Sequence, residues 1–383
     1  MPEQPVPEVP VLFVSSHAQL GGSESYLERL VTGLGPDWCA GVVLLEDGPL
    51  AGRLRGCGVA VHVVPVPASP LQLPGAARRL RRALPPGPLV HANGVKAALV
   101  CAAAELGRRP RRLLWVKHDF RFDGLIGRLI AGRCLHVVGV SAAVLVAVSR
   151  SGLGRRVPCT VVSPSVVVAH TDRRTAAREL RALLGVPQTA RVVLMVGRLD
   201  VAKGFEDLIE MLPDLARSVP DVVVGIVGPD EPTQPGYRRR LKARADGLGV
   251  GDRVVLTGPQ PDAARLIAGA NALVVASHAV SRRGLGREGF GLVGVEAFAV
   301  GTPVVGYATG ALPEVLGDAA RLVPPGDRSA LGRELVVMLT DRAAWAACAD
   351  SGARRYAAQF REDRTVTAMT GLYRTLAATL EQP

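Results

Sequence analysis

Aromatic residues make up only 4% of this 383-residue chain, and lysine is nearly missing. So few rings cannot line a groove in which successive bases of a single strand stack. Lysine stands only at 96, 117, 203 and 242, which leaves arginine to supply 42 of the 46 basic residues. The six cysteines, at 39, 57, 101, 134, 159 and 348, form no Cys-x-x-Cys pair and no zinc-like spacing. The opening MPEQPVPEVP has no basic region and no apolar region of a secretion signal, so with scattered thiols the expected location is cytoplasmic. The longest apolar run, about Val137 to Val148, is too short to span a bilayer and is interrupted by Ser141. No two aspartates are separated by one residue, and no Asp-x-Glu, Glu-x-Asp or Glu-x-Glu occurs. The usual carboxylate pair that holds a divalent cation against a diphosphate is therefore missing, and no metal and no cofactor are expected.

What is present suits a globular protein. Hydrophobic residues reach 48% and charged residues 21%, enough to build cores. The length favours two domains. The net charge is +12, and it is uneven. Residues 1–165 hold 19 basic and 10 acidic residues, so most of the surplus lies in the first half. A basic balance suits a polyanion or an anionic membrane surface. The arginine excess itself reads as compositional.

Short apolar runs alternate with helical patterns. Runs at 9–16, 41–45, 59–64, 88–91, 112–117 and 135–140 are followed by a break near 150–190, which includes a strand-like VPCTVVSPSVVV. The pattern restarts at 191–197, 221–228, 252–258, 270–277, 301–307 and 320–325, and a long helical tail runs from about Ser329 to Leu380. Buried strands alternating with helices indicate parallel sheets covered on both faces. The expected fold is α/β, with two Rossmann-like doubly wound domains facing a cleft. Their bounds are 1–165 and 166–355, with a last helix, 356–383, returning to the first domain. Ligands of such sheets sit at the carboxyl ends of the strands.

Three loops at such ends carry candidate chemistry. In EGFGLVGVEAFAVGTPVV (288–305), Glu288 precedes Gly289 and Gly291, which let backbone approach a ligand, and Glu296 follows on the early turns of a helix. The free N–H groups at that helix start form an anion site. In VGRLDVAKGFEDLIEML (196–212), Arg198 and Lys203 flank a strand-to-helix loop, suited to neutralising a pyrophosphate. In SSHAQLGGSESYLERL (15–30), Gly21 and Gly22 precede a helix, with neither a Gly-x-Gly-x-x-Gly fingerprint nor a Walker lysine. His118 lies just past a strand of the first domain, beside Asp119 and near Arg121.

The set of paired glycines near the first helix, His118, Ser141, Gly-Arg…Lys-Gly and Glu-x7-Glu resembles the family-4 glycosyltransferases, retaining enzymes of the GT-B fold. GTPVVGYATGALPEV (301–315) fits as well. The resemblance implies a retaining, metal-independent transfer of a hexose from a nucleoside diphosphate sugar. By position, Arg198 and Lys203 would neutralise the diphosphate, Glu296 would hold ribose hydroxyls and Glu288 would contact hydroxyls of the donor sugar. Backbone N–H groups of Phe290, Gly291, Leu292 and Val293 would also meet the donor. Gly21 and Gly22 would close over the phosphates, and His118 would contact the sugar. His118, Asp119 and Arg121 are the acceptor-side candidates. Two departures stand out: Ser163-Pro164-Ser165 replaces the usual Asn-Gly pair, and SHAVSRRGLGR ahead of Glu288 is longer and more basic than usual, with Arg282, Arg283 and Arg287.

The acceptor side is read from charge. Arg78-Arg79-Leu80-Arg81-Arg82 and Arg108-Arg109-Pro110-Arg111-Arg112 are matching basic runs. The first lies on an amphipathic pattern that suits either a solvated helix face or an anionic membrane surface. The expected acceptor is a small molecule: a specialised metabolite as in antibiotic biosynthesis, an aminocyclitol-like core or a phosphorylated compound. A lipid or cell-envelope acceptor is the alternative, and a non-catalytic GT-B partner subunit a remote one. A dinucleotide oxidoreductase would need a glycine fingerprint after the run at 9–16 or at 191, and neither has one. Nucleic acid is not expected as a partner.

Overall fold

A computed structural model describes residues 10–19, 21–66, 72–84, 87–107, 111–149, 157–278 and 287–381. The chain divides into two compact units: Met1–Ser165 with Glu362–Pro383, and Val166–Arg361.

The first unit is built on a seven-stranded, all-parallel sheet. Its strands are β1 (Val11–Ser15), β2 (Cys39–Leu44), β3 (Val61–Val63), β4 (Leu89–Asn93), β5 (Leu113–Lys117), β6 (His136–Gly139) and β7 (Cys159–Val161), in the order β3-β2-β1-β4-β5-β6-β7. Every residue of β1, β4, β5 and β6 is buried, so these strands are mostly apolar and do not alternate, with buried polar residues at Ser15, His91, Asn93, Lys117 and His136. The strand order reverses between β1 and β4, where the last residues, Ser15 and Asn93, face each other in register. That reversal opens a crevice at the carboxyl edge.

The second unit repeats the plan with six parallel strands: β8 (Arg191–Val196), β9 (Val222–Val227), β10 (Val254–Gly258), β11 (Ala272–Val275), β12 (Val304–Tyr307) and β13 (Arg321–Val323). Their order is β10-β9-β8-β11-β12-β13, so the reversal falls between β8 and β11. The helix Phe205–Ser218 lays Leu208, Ile209, Leu212 and Leu215 onto the sheet core, which also takes Val193, Val224 and Val274.

The helical tail is three helices, Arg328–Thr340, Arg342–Gln359 and Glu362–Glu381, the last of them beginning at Glu362 where the sequence suggested 356. Asp341 makes the first break by capping the following helix, accepting from the N–H groups of Ala343 (2.8 Å) and Ala344 (3.0 Å). The last helix belongs to the first unit. There the Tyr373 hydroxyl lies 2.6 Å from His91 Nδ1, and Thr365 donates to the Ser163 carbonyl at 2.8 Å. Among the described residues, no helix is long and apolar enough to cross a membrane.

Candidate functional site

In the second unit, the loops after β8 and β11 meet at the strand reversal. β8 is followed by Gly197-Arg198, and a short 3-10 turn, Val201–Lys203, leads through Gly204 into the helix Phe205–Ser218. Gly204 is needed there. Its φ is 78°, and a Cβ would sit 2.1 Å from the Ala276 carbonyl oxygen, just past β11. The two loops are stitched directly, since the His278 N–H donates to the Ala202 carbonyl at 2.9 Å.

This close approach joins residues far apart in sequence. The Lys203 ammonium pairs with Glu288 Oε1, and Ser277 donates to the same oxygen at 2.6 Å. Burial pushes the Glu288 carboxyl up, but the Lys203 charge and the hydrogen bonds from Lys203 and Ser277 outweigh it. The group titrates below the usual carboxylate range. Glu288 is therefore an ionised, half-buried acceptor beside a cation. Its carbonyl is fixed as well, accepting the Ala311 N–H at 2.9 Å, and a side chain on Gly310 would strike it. The GTPVVGYATGALPEV segment thus buttresses the EGFG loop. Thr309 adds a hydrogen bond to the Ser277 carbonyl at 2.9 Å.

Arg198 is exposed and pairs with the buried Glu231 at 3.1 Å. The glycine loop closes on Gly291, which adopts φ 90° as the N-cap of the helix Leu292–Ala299. The Phe290 side chain is core, packed edge-to-face on Phe360 at 5.7 Å, so only its backbone is available to a ligand. Gly289, Leu292, Val293 and Glu296 are half-buried around the same helix start. Of the basic loop before Glu288, Arg287 is exposed, whereas Arg282 and Arg283 lie outside the described residues.

The first unit presents its own set at its own reversal. Gly21 and Gly22 are exposed at the start of the helix Gly22–Leu34. His118, just past β5, is half-buried with its Nε2 2.6 Å from Asn93 Oδ1, and Tyr26 stands edge-on to its ring at 5.1 Å. Burial pushes the imidazole down to about 3, so the ring is neutral. Asp119 and Arg121 are turned to each other, the Asp119 carboxylate accepting the Arg121 N–H at 3.0 Å. Ser141 is buried directly after β6. Lys117 is wholly buried, donating to Asp123 at 2.7 Å and to the Asp119 carbonyl. That lysine holds the loop that follows His118.

The basic runs divide between surface and fold. Arg78, Arg79, Arg81 and Arg82 lie on the exposed face of the helix Leu73–Ala83, while Ala76, Ala77 and Leu80 pack inward. Arg112 is buried against Glu105 at 2.9 Å, and Arg111 donates to the Gly132 carbonyl at 2.6 Å. Arg108, Arg109 and Pro110 lie outside the described residues. Sequence reasoning missed Asn93, Ser277 and Glu231. Asn93 ends β4 and Ser277 lies two residues past β11, both at the reversals, a signal that a strand map alone could have raised. Among the described residues, no three or more His, Cys, Asp or Glu are grouped to hold a metal ion.

Comparison with known proteins bears on the same regions. Residues 177–355 match the model of the family described as glycosyl transferases group 1. The chain is 31% identical over 294 residues to a D-inositol 3-phosphate glycosyltransferase of Mycobacterium avium, covering 75% of this chain and 64% of that one. It is 32% identical over 272 residues to a 2-deoxystreptamine N-acetyl-D-glucosaminyltransferase of Streptomyces fradiae, covering 68% and 60%. The chain thus spans somewhat less than two thirds of these relatives' length. In three dimensions it resembles Anabaena HepE, crystallised with UDP, with a TM-score of 0.83 at 24% identity, covering 96% of this chain and 100% of that one. The fold is that of the GT-B glycosyltransferases, two parallel-sheet Rossmann-like units, and its second unit carries the similarity to the group 1 glycosyl transferases.

Proposed function

We propose that the chain is a glycosyltransferase that moves a hexose from a nucleoside diphosphate sugar to a small-molecule acceptor, with retention at the anomeric carbon and without a catalytic metal. The observation that carries this reading is the Lys203–Glu288–Ser277 cluster at the β8/β11 reversal, with Arg198 on the same loop as Lys203. Two cations there suit a diphosphate leaving group, since charge developing on the departing oxygen needs fixed positive partners. Glu288, held ionised, accepts hydrogen bonds from donor-sugar hydroxyls, and Glu296 takes the ribose. The N–H groups from Phe290 to Val293 supply the helix-start dipole to the same anion. The departing phosphate takes the acceptor proton in a same-face displacement. In the first unit, Gly21 and Gly22 let the backbone close over phosphate, and His118 offers a neutral ring nitrogen to a sugar hydroxyl.

The acceptor class follows the relatives, whose names specify an inositol phosphate and an aminocyclitol. Both are polyhydroxylated rings, and a phosphorylated one suits a first unit rich in arginine. A ligand that binds only the folded chain raises its melting temperature. Uridine, guanosine, adenosine and thymidine diphosphate sugars, all at one common concentration, should separate by stabilisation, which reaches about 2.7 kcal/mol for the true donor where that concentration is about 100 times its dissociation constant. HepE, solved with UDP, makes the uridine arm the first to run. No stabilisation by any of the four would remove the donor-site assignment.

A further inference from the structure

The hydrogen bonds around Asn93 decide which nitrogen of His118 carries the proton. Asn93 ends β4 at the strand reversal of the first unit and is 1% exposed. One end of its amide faces the Ser23 carbonyl at 3.0 Å, and a carbonyl can only accept. The same end faces Ser15 Oγ at 3.5 Å, whose own proton goes to the His17 carbonyl at 2.8 Å. Two acceptors on one side require the NH2 group there. The opposite end is then Oδ1, which can only accept, and it lies 2.6 Å from His118 Nε2. In a neutral imidazole the proton must therefore sit on Nε2, and Nδ1 keeps its lone pair. Nδ1 makes no hydrogen bond among the described residues. Ser23 lies in the first turn of the helix that follows the paired glycines, so one amide reads both the glycine turn and the histidine.

We propose that Asn93 is a positioning residue: it holds His118 protonated on Nε2, keeps Nδ1 as the acceptor for a substrate hydroxyl, and ties that ring through Ser23 to the turn at Gly21 and Gly22. The part concerning substrate rests on the glycosyltransferase reading, and the tautomer does not. A neutral Nδ1 cannot donate to a ring oxygen or phosphate but can accept from a hydroxyl, so the assignment selects a polyol partner at this point.

The test uses the full chain labelled with 15N-histidine, with His118→Gln identifying the resonance among the seven histidines. Wild-type protein should show His118 as the Nε2–H tautomer without any sugar donor. Asn93→Ala should lose that preference, whereas Asn93→Asp, an acceptor toward His118, should keep Nε2 protonated while losing the Ser23 tether. Near-ultraviolet circular dichroism checks that both variants fold, and Asn93→Asp keeps the shape if Asn93→Ala does not. In transfer assays Asn93→Ala should lower kcat about tenfold, the scale of one oriented hydrogen bond, with donor KM nearly unchanged. A wild-type Nδ1–H spectrum, or an Asn93→Ala chain with the wild-type tautomer or wild-type kcat, would overturn the proposal. Absence of transfer by the wild-type chain would instead overturn the glycosyltransferase reading, and the spectra would still decide the tautomer.

Discussion

Acid should weaken the first unit, where the buried His91 and His118 are both held neutral, and His91 allows the share of one of them to be isolated. Its side chain is fully buried on β4, with Nδ1 on the Tyr373 hydroxyl and Nε2 without a partner. Burial, with a smaller contribution from the His118 charge, pushes its pKa from 6.5 down to about 3. Because the folded value lies below the unfolded one, protons bind the unfolded chain preferentially. The stabilisation is complete above about pH 6.5 and is lost as the pH falls from there toward 3. Each pH unit inside that window costs about 1.4 kcal/mol, so at pH 5 roughly 2 kcal/mol has gone through His91 alone. Set against the usual 5–15 kcal/mol, that is a large share. Trp38 and Trp115 report on the first unit, and Trp345, in the second, can be silenced as Trp345→Phe. Urea titrations of that chain by tryptophan fluorescence at pH 7.5, 6 and 5 should lose stability at least this steeply, since His118, also pushed down to about 3, adds to the slope. His91→Gln, which cannot titrate, should be less stable at pH 7.5 yet flatter by about 2 kcal/mol between pH 7.5 and 5. An equally steep loss in His91→Gln would refute the assignment to His91.

Other outcomes follow from the second unit. Glu296→Ala should weaken binding of the nucleoside diphosphate sugar, read by calorimetry, whereas Lys203→Ala should mainly lower turnover; wild-type values for both would remove the donor-site assignment. Transfer should persist in EDTA, measured by release of nucleoside diphosphate, and its abolition would point to a required metal. Gly204→Ala should destabilise the second unit by more than the roughly 1–2 kcal/mol that a left-handed backbone alone costs, because the added Cβ meets the Ala276 carbonyl. Gly185→Ala, at φ 67° in open space, isolates the backbone contribution, and equal melting shifts for the two would contradict the clash.

How much of the site was legible depends on how its residues are held together. Arg198, Lys203, Glu288 and the EGFG glycines could be read because each sits where an apolar run ends and a helix begins, a local signal. Ser277 and Glu231 were not, although each contacts one of those residues. Their role is a side-chain partnership across 11 and 33 positions, and no periodicity records it. Within the helical tail the last helix, 356–383, was set apart, but the break at Asp341 was not, because Asp341 caps a new helix without interrupting the helical composition around it.

By itself, then, the sequence determined the parallel sheets, since strands buried on both faces are mostly apolar without alternation, and it determined where their carboxyl-end loops lie. Only the tertiary structure decided the partnerships: Lys203 with Glu288 across 85 residues, His118 with Asn93 across 25, and His91 with Tyr373 across 282. Hydrogen bonds and ion pairs act over about 3 Å in space without regard to separation along the chain. Strand order, which brings β1 beside β4 and β8 beside β11, sets those distances.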